Sequence, residues 1–305
     1  MSSKTKGVLC GIIAAICYGT NPLGVLYLYQ EGLNAVSTVF YRYLAAVLLL
    51  AVALVAKGEN FKISRRELSI AALLGVFFGA SSLTLYASFN YMDAGLASTI
   101  LFCYPVMVSV IMAVFYHEKV SLTTIIALVL SSSGIVLLSK GDGNVSMTGV
   151  ILVVVSSLAY AIYIVAVNRW KVTVSNVKLT FFITLFATPM FVVYSFFGEG
   201  NSLQMLPSMT AVLWAVFLGL FPTVLSLVFM NVSIKLAGST PAAVTGALEP
   251  VTAVIIGVCI FGEAFSLKLL FGILLILSAV LLINFMMASE GKKGKKKDDS
   301  SDGTS

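Results

Sequence analysis

The chain has 305 residues, 59% of them hydrophobic and only 10% charged, with a formal net charge of +6. Soluble domains carry roughly 25% charged residues, so this composition excludes a wholly water-facing exterior and calls for contact with lipid. The positive charge does not point to nucleic acid, because the basic residues lie at the ends of apolar runs and form no patch.

Taken in chain order, the apolar stretches predict ten membrane-spanning helices. Five lie near 7–28, 34–56, 68–91, 94–116 and 121–139, and five near 147–168, 177–197, 210–234, 237–262 and 266–287. The first run follows Lys4 and Lys6 and is too long for the apolar core of a signal peptide, so it reads as the first span. Tight joins at Asp93-Ala94-Gly95 and Leu236-Ala237-Gly238 require antiparallel neighbours. Gly7-x-x-x-Gly11 and Gly75-x-x-x-Gly79 read as close helix contacts. Cys10, Cys17, Cys103 and Cys259 all fall in apolar runs and read as packing residues. His117 is the single histidine, and no metal or cofactor is expected.

Charge placement predicts the orientation. With the N-terminus cytoplasmic, Lys4, Lys6, Lys57, Lys62, Arg65, Arg66, Lys119, Arg169, Lys171, Lys178, Lys235 and the lysines of 292–297 all fall inside. Lys140 and Lys268 fall outside and Arg42 lies within a span, so the positive-inside rule puts both termini in the cytoplasm of a cell (inner or plasma) membrane protein. Trp170, Trp214, Tyr27 and Tyr29 sit near span ends, as interfacial aromatics do. Asn144-Val145-Ser146 is a glycosylation sequon on the predicted outer face. The tail 288–305 has the composition of a disordered segment, either plainly soluble or touching anionic lipid through its lysines.

The two halves repeat. Gly7-Val8 recurs as Gly149-Val150, Tyr18 as Tyr160, Ala94-Gly95 as Ala237-Gly238, Pro105-Val106 as Pro250-Val251, and Glu118 with Ser121 as Glu263 with Ser266. Residues 1–6 then form a cytoplasmic N-terminus, 7–140 a first repeat of five spans, and 145–287 a second. An odd number of spans per repeat inverts the second half, a design that places a transport site at the repeat interface near the bilayer midplane.

Tyr86-Ala87-Ser88-Phe89-Asn90-Tyr91-Met92-Asp93-Ala94-Gly95-Leu96-Ala97-Ser98 resembles the third-to-fourth-span signature of EamA repeats. So do Tyr104-Pro105-Val106 followed by His117-Glu118, and Leu248-Glu249-Pro250-Val251 followed by Gly262-Glu263. Together they resemble an EamA-type transporter of the drug/metabolite transporter superfamily, over roughly residues 7–287. Asn231-Val232-Ser233-Ile234-Lys235 matches the region from Asn90 to Ala94 only loosely. The resemblance implies a ten-helix, all-α membrane bundle around a central cavity, alternating access, and export of amino acids or other metabolites.

Ionisable groups inside spans mark candidate sites, since a charge at mid-bilayer costs roughly 2.5–3.5 kcal/mol on insertion scales. Arg42 and Glu249 are the two here. Glu249 shares a helical face with Thr245, Gly246 and Thr252, and reads either as a proton or substrate-amine site or as a structural carboxyl. Pro250 frees the carbonyl of Gly246. Arg42 reads as snorkelling outward, pairing with Glu249, or binding a carboxylate in the cavity. Asn21-Pro22, Tyr104-Pro105 and Glu249-Pro250 predict broken helices with polar groups beside the break. Tyr18, Asn21, Tyr86, Tyr104 and Tyr160 are candidate cavity residues, with Tyr18 and Tyr160 facing one another. Glu118 and Glu263 sit at span ends and read as structural caps or loop residues.

The function expected is a secondary-active transporter that exports amino acids or similar small metabolites, with protons as a possible coupling ion. Alternatives are an exchanger of nucleotide sugars or phosphorylated metabolites, which a single in-span Arg42 disfavours, and a membrane-embedded protein that transports nothing. No acid, histidine or cysteine cluster suggests an enzyme. The partners expected are a small-molecule substrate and the bilayer, and both monomer and homodimer stay open.

Overall fold

The computed structural model describes residues 3–117, 122–139, 146–170, 172–197, 200–237, 245–282 and 285. In chain order its helices are α1 (Ser3–Gly19), α2 (Asn21–Gln30), α3 (Ala35–Ala56), α4 (Arg65–Ser88), α5 (Ala94–Leu101), α6 (Tyr104–Tyr116) and α7 (Leu122–Ser139). The second half has α8 (Met147–Arg169), α9 (Asn176–Tyr194), α10 (Met209–Gly219), a π-helical turn (Leu220–Leu225), α11 (Ser226–Ala237), α12 (Leu248–Phe261) and α13 (Leu267–Leu282). Seven helical stretches are long and apolar enough to cross a membrane, and Ile125–Leu138, Leu248–Phe261 and Leu267–Leu282 are shorter apolar helices. These make up the ten expected spans. Exposed Leu48, Val52, Phe115 and Leu122 on their outer faces leave apolar surface that only lipid can cover.

Local chemistry sets the helix ends. The Asn34 side chain accepts from Ser37 N at 2.8 Å and starts α3. The third span begins at Arg65, earlier than hydropathy suggested, because Ser64 and Glu67 form a reciprocal capping box. Glu67 also accepts from Thr173, which ties the first turn of α4 to the loop before α9.

The first and fourth spans are broken, as the prolines predicted. The first parts at Thr20, two residues before Pro22, and the fourth at Phe102-Cys103, ahead of Pro105. The ninth parts at Ala247, ahead of Pro250. Each proline lacks the N–H that would bond to the carbonyl four residues back. For Pro105 that carbonyl belongs to Leu101, and the Ser157 hydroxyl donates to it at 3.0 Å. The eighth span holds a break the hydropathy reading missed, the π turn around Pro222. Pro189 sits inside α9 without ending it.

Helix packing has a two-fold pattern. The first span packs on the eighth as the sixth packs on the third, and the eighth on the second as the third on the seventh. The first meets the ninth as the sixth meets the fourth, while the pairs second–seventh and fourth–ninth map onto themselves. Gly134 and Leu138 of α7 meet Gly272 and Ile276 of α13, which adds the pair fifth–tenth. Small residues allow these approaches. Gly7 lies against Ala237 and Gly11 against Ser233, while Gly75 and Gly79 lie against Ala187 of α9, so both motifs are the close contacts expected.

The connections also pair by end. Asn34 bonds to Gln204 and to the carbonyls of Gly200 and Ser202, and Ser208 donates to Glu31. At the end bearing Glu67, Lys178 donates to Asn60 and to the Lys62 carbonyl, and Ser175 to Glu59. Tyr27 stacks on Trp214 with ring centroids 4.5 Å apart, and Tyr29 donates to the Tyr86 carbonyl at 2.6 Å, so these aromatics join helices besides lying near span ends. The expected features at Glu118, Lys119, Ser121, Lys140, Lys171 and Gly238, the sequon positions Asn144 and Val145, and the tail 288–305 lie outside the described residues.

Candidate functional site

Three proline breaks converge on one cavity between the halves. Tyr18, Asn21 and Pro22 line it from the first span, Ser98, Leu101, Phe102 and Tyr104 from the fourth, Tyr160 from the sixth, and Glu249, Pro250 and Ala253 from the ninth. Leu85 adds a contact from the third. The free space is about 20 Å³, room for a single water and for no metabolite, so this conformation is closed around the site. Tyr104 and Tyr160 close it edge to face with centroids 4.7 Å apart, and Tyr160 stacks on Tyr163.

Among the described residues, the half-buried Glu249 is the one carboxylate lining this cavity. It lies within electrostatic range of Tyr18, Tyr104 and Tyr160, and no hydrogen bond to its carboxylate is formed among the described residues. Its helical neighbours do something else. Thr245 faces Gly11, and Thr252 with the Glu249 carbonyl faces Gly19. Thr245 and Thr252 of the polar stripe therefore form a packing surface for α1, and the Glu249 side chain lines the cavity. Thr245 does not line the cavity, and neither does Pro105 beside its neighbour Tyr104.

Arg42 neither snorkels nor pairs with Glu249. It is 1% exposed, donates Nε to Thr223 Oγ1 at 3.0 Å and Nη1 to the Tyr86 hydroxyl at 2.7 Å, and sits near the rings of Tyr43 and Tyr86. Hydroxyls and aromatic faces disperse its charge in place of a carboxylate. Tyr86, expected on the cavity wall, stands one layer behind it: fully buried, it donates to Asn21 Oδ1 at 2.8 Å, and Asn21 reaches the cavity. Tyr18 lies within electrostatic range of both Arg42 and Glu249, and also of Tyr160, its repeat mate.

One residue of this network escaped the sequence reading, and another has a partner that the reading did not name. Thr223 follows Pro222 in the eighth span, and the proline rule applied to the other spans would have flagged it. Glu263 accepts from the backbone N–H of Ala94 at 2.6 Å and of Gly95 at 3.0 Å, so it caps α5 from another span. Asp93, the residue preceding α5, makes no side-chain cap. Sequence spacing suggested a cap at Glu263 but not which helix it would serve.

Comparison with known proteins agrees with this architecture. An uncharacterized transporter of Archaeoglobus fulgidus is 28% identical over 68% of this chain and 74% of its own length. Two transporters of Bacillus subtilis, YvbV and YcbK, are 25% identical over 70% of each chain and 23% identical over 94% of this chain and 95% of theirs. A solved crystal structure covering 93% of this chain and 98% of its own superposes with a TM-score of 0.64 at 16% identity, a likeness of fold alone. The model of the EamA-like transporter family matches residues 5–140 and again 147–285. With both halves matched, the chain belongs to the EamA-like transporter family.

Proposed function

We propose that this chain is a secondary carrier working by alternating access, which exports amino acids or similar small metabolites and uses Glu249 to bind a proton or a cargo amine. The observation that carries the reading is the position of Glu249, among the described residues the one carboxylate on the wall of a tyrosine-lined cavity where three broken spans meet. Intramembrane carboxylates facing such cavities serve proton and substrate pathways, and broken helices at a repeat interface are the usual setting of a transport site. The paired packing of the halves supports rocking of one against the other about the same site. In this reading both termini lie in the cytoplasm and the protein resides in the plasma (inner) membrane, on the strength of the basic residues. An exchanger of phosphorylated cargo is disfavoured, because Arg42 is held by Thr223 and Tyr86 behind the wall and no cation lines the cavity among the described residues.

Counterflow in proteoliposomes over amino acids, amines and sugars, with and without a pH gradient, tests the proposal. Exchange of amino acids or amines that responds to the gradient is the expected result. Well-folded protein that moves nothing in the panel would overturn it.

A further inference from the structure

The neighbours of Asn21 fix the polarity of its side chain. An asparagine amide offers an acceptor on one side and donors on the other, and only its partners decide which faces where. Here they form a directed chain. A guanidinium can only donate, so Arg42 Nη1 gives its hydrogen to the Tyr86 hydroxyl oxygen. The hydroxyl then has its own hydrogen to give, and it gives it to Asn21 Oδ1 at 2.8 Å. Turning the amide over would bring a second donor to the Tyr86 oxygen and leave the hydroxyl hydrogen without that acceptor. Nδ2 is therefore the group turned away from Tyr86. It is buried with no hydrogen-bond partner in a residue 4% exposed, and that residue lines the central cavity. Buried donors in folded proteins are almost always satisfied, so an orphaned one at a cavity wall marks where an acceptor is to arrive.

We infer that Asn21 is a donor-only cargo contact, held in that polarity by Arg42 through Tyr86, and that the cargo presents a carboxylate or carbonyl oxygen to it while its cationic end faces Glu249. The inference rests on the carrier reading above and deepens it. Two demands of opposite sign are built into one small cavity, so a zwitterion satisfies both, whereas a simple amine or a simple acid satisfies one. Arg42 and Tyr86 are positioning residues, since neither lines the cavity and both act on cargo through residues that do, Asn21 above all.

Three probes of one shape test this on the purified full-length protein: phenylalanine, phenethylamine and 3-phenylpropionate, each titrated by calorimetry. The wild type is expected to bind phenylalanine most tightly. Asn21→Asp keeps the shape and replaces the donor with an acceptor, so phenylalanine and 3-phenylpropionate should weaken at least about tenfold, the range of one charge-assisted hydrogen bond, while phenethylamine holds or tightens. Tyr86→Phe leaves Asn21 in place but frees its amide to turn, so the preference for phenylalanine over phenethylamine should shrink. A purely structural role for Tyr86 would weaken all three probes alike. Equal phenylalanine binding by wild type and Asn21→Asp, or no binding of any probe by folded wild type, overturns the inference. Counterflow of the same probes separates the two readings. Discriminating binding without flux would sink the carrier and leave the contact standing, and flux of uncharged solutes with no discrimination would do the reverse.

Discussion

The Nε of Arg42 donates to Oγ1 of Thr223 at 3.0 Å and joins the second span to the eighth. The same hydroxyl donates to the Leu218 carbonyl at 3.0 Å, the group left without its helical partner by Pro222. The carbonyl freed by Pro222 thus takes the Thr223 hydrogen and leaves the hydroxyl oxygen to accept from the buried guanidinium. Thr223→Val keeps the shape and removes that acceptor, so it should destabilise the protein by about 1–3 kcal/mol, the cost of leaving a buried donor unpaired. Thr223→Ser should restore most of the loss. Thermal unfolding in detergent measures both, and a valine variant that melts with the wild type would mean the bond contributes nothing.

Arg42 and Glu249 do not form a pair, and this has a clear genetic consequence. Reversing either charge alone should abolish flux, and the double reversal should recover none of it. Rescue by the double variant would show that the two charges couple directly, as a double-mutant cycle detects.

For Glu249, the expectation concerns pH. If its carboxyl carries the coupling proton, Glu249→Gln should fold and reach the membrane in normal amounts, while flux between about pH 5 and 8 loses its pH dependence. A variant with the wild-type pH profile would return Glu249 to a structural role.

Glu263 lies beyond the end of its span and titrates separately. Burial raises its carboxyl above the ordinary range, the N–H groups of Gly95 and Ala94 oppose that shift, and nearby Asp93 adds to it. A carboxyl whose folded value is raised contributes stability that is fully present below the unfolded value and is lost as pH rises through the folded one. Glu263→Gln cannot ionise, so its melting temperature should fall less than that of the wild type between about pH 4 and 7. Parallel melting curves across that window would refute the assignment.

Gly75 leaves no room for a side chain. A Cβ there would stand 2.8 Å from the Ile183 carbonyl oxygen, a backbone atom that cannot swing aside. Gly75→Ala should therefore push α4 from α9 and destabilise by about 1–3 kcal/mol. Gly58, with open space around it, also has a positive φ of 66°, so alanine there tests backbone strain instead of packing. Chemical denaturation comparing the two variants would separate the effects, and an unaltered Gly75→Ala would argue for a looser helix pair.

Much of the site could be read in advance because its chemistry is costly in lipid. Glu249, Asn21, Tyr18, Tyr104 and Tyr160 stood out as polar groups inside apolar runs or beside prolines, and all five reach one cavity. Tyr86, Thr245 and Arg42 stood out for the same reason but serve behind the wall or in packing. Spacing cannot separate these roles, since a residue facing a neighbouring helix and one facing a cavity meet the same rule of avoiding lipid. Thr223 was missed because a threonine in a span costs little and attracts no notice.

By itself the sequence determined that the chain lives in a membrane, how many times it crosses, and where three of its spans break, though not the break at Pro222. Those features follow from local physics: apolar length against bilayer thickness, and the hydrogen bond a proline cannot make. The tertiary structure alone decided that Arg42 is hydrogen-bonded by Thr223 and Tyr86 instead of paired with Glu249, that Glu263 caps α5, and that the Asn21 amide points one way. Each of these depends on which groups meet across helices far apart in the chain. A hydrogen bond exists only when donor and acceptor lie within about 3 Å, and no local pattern encodes that distance.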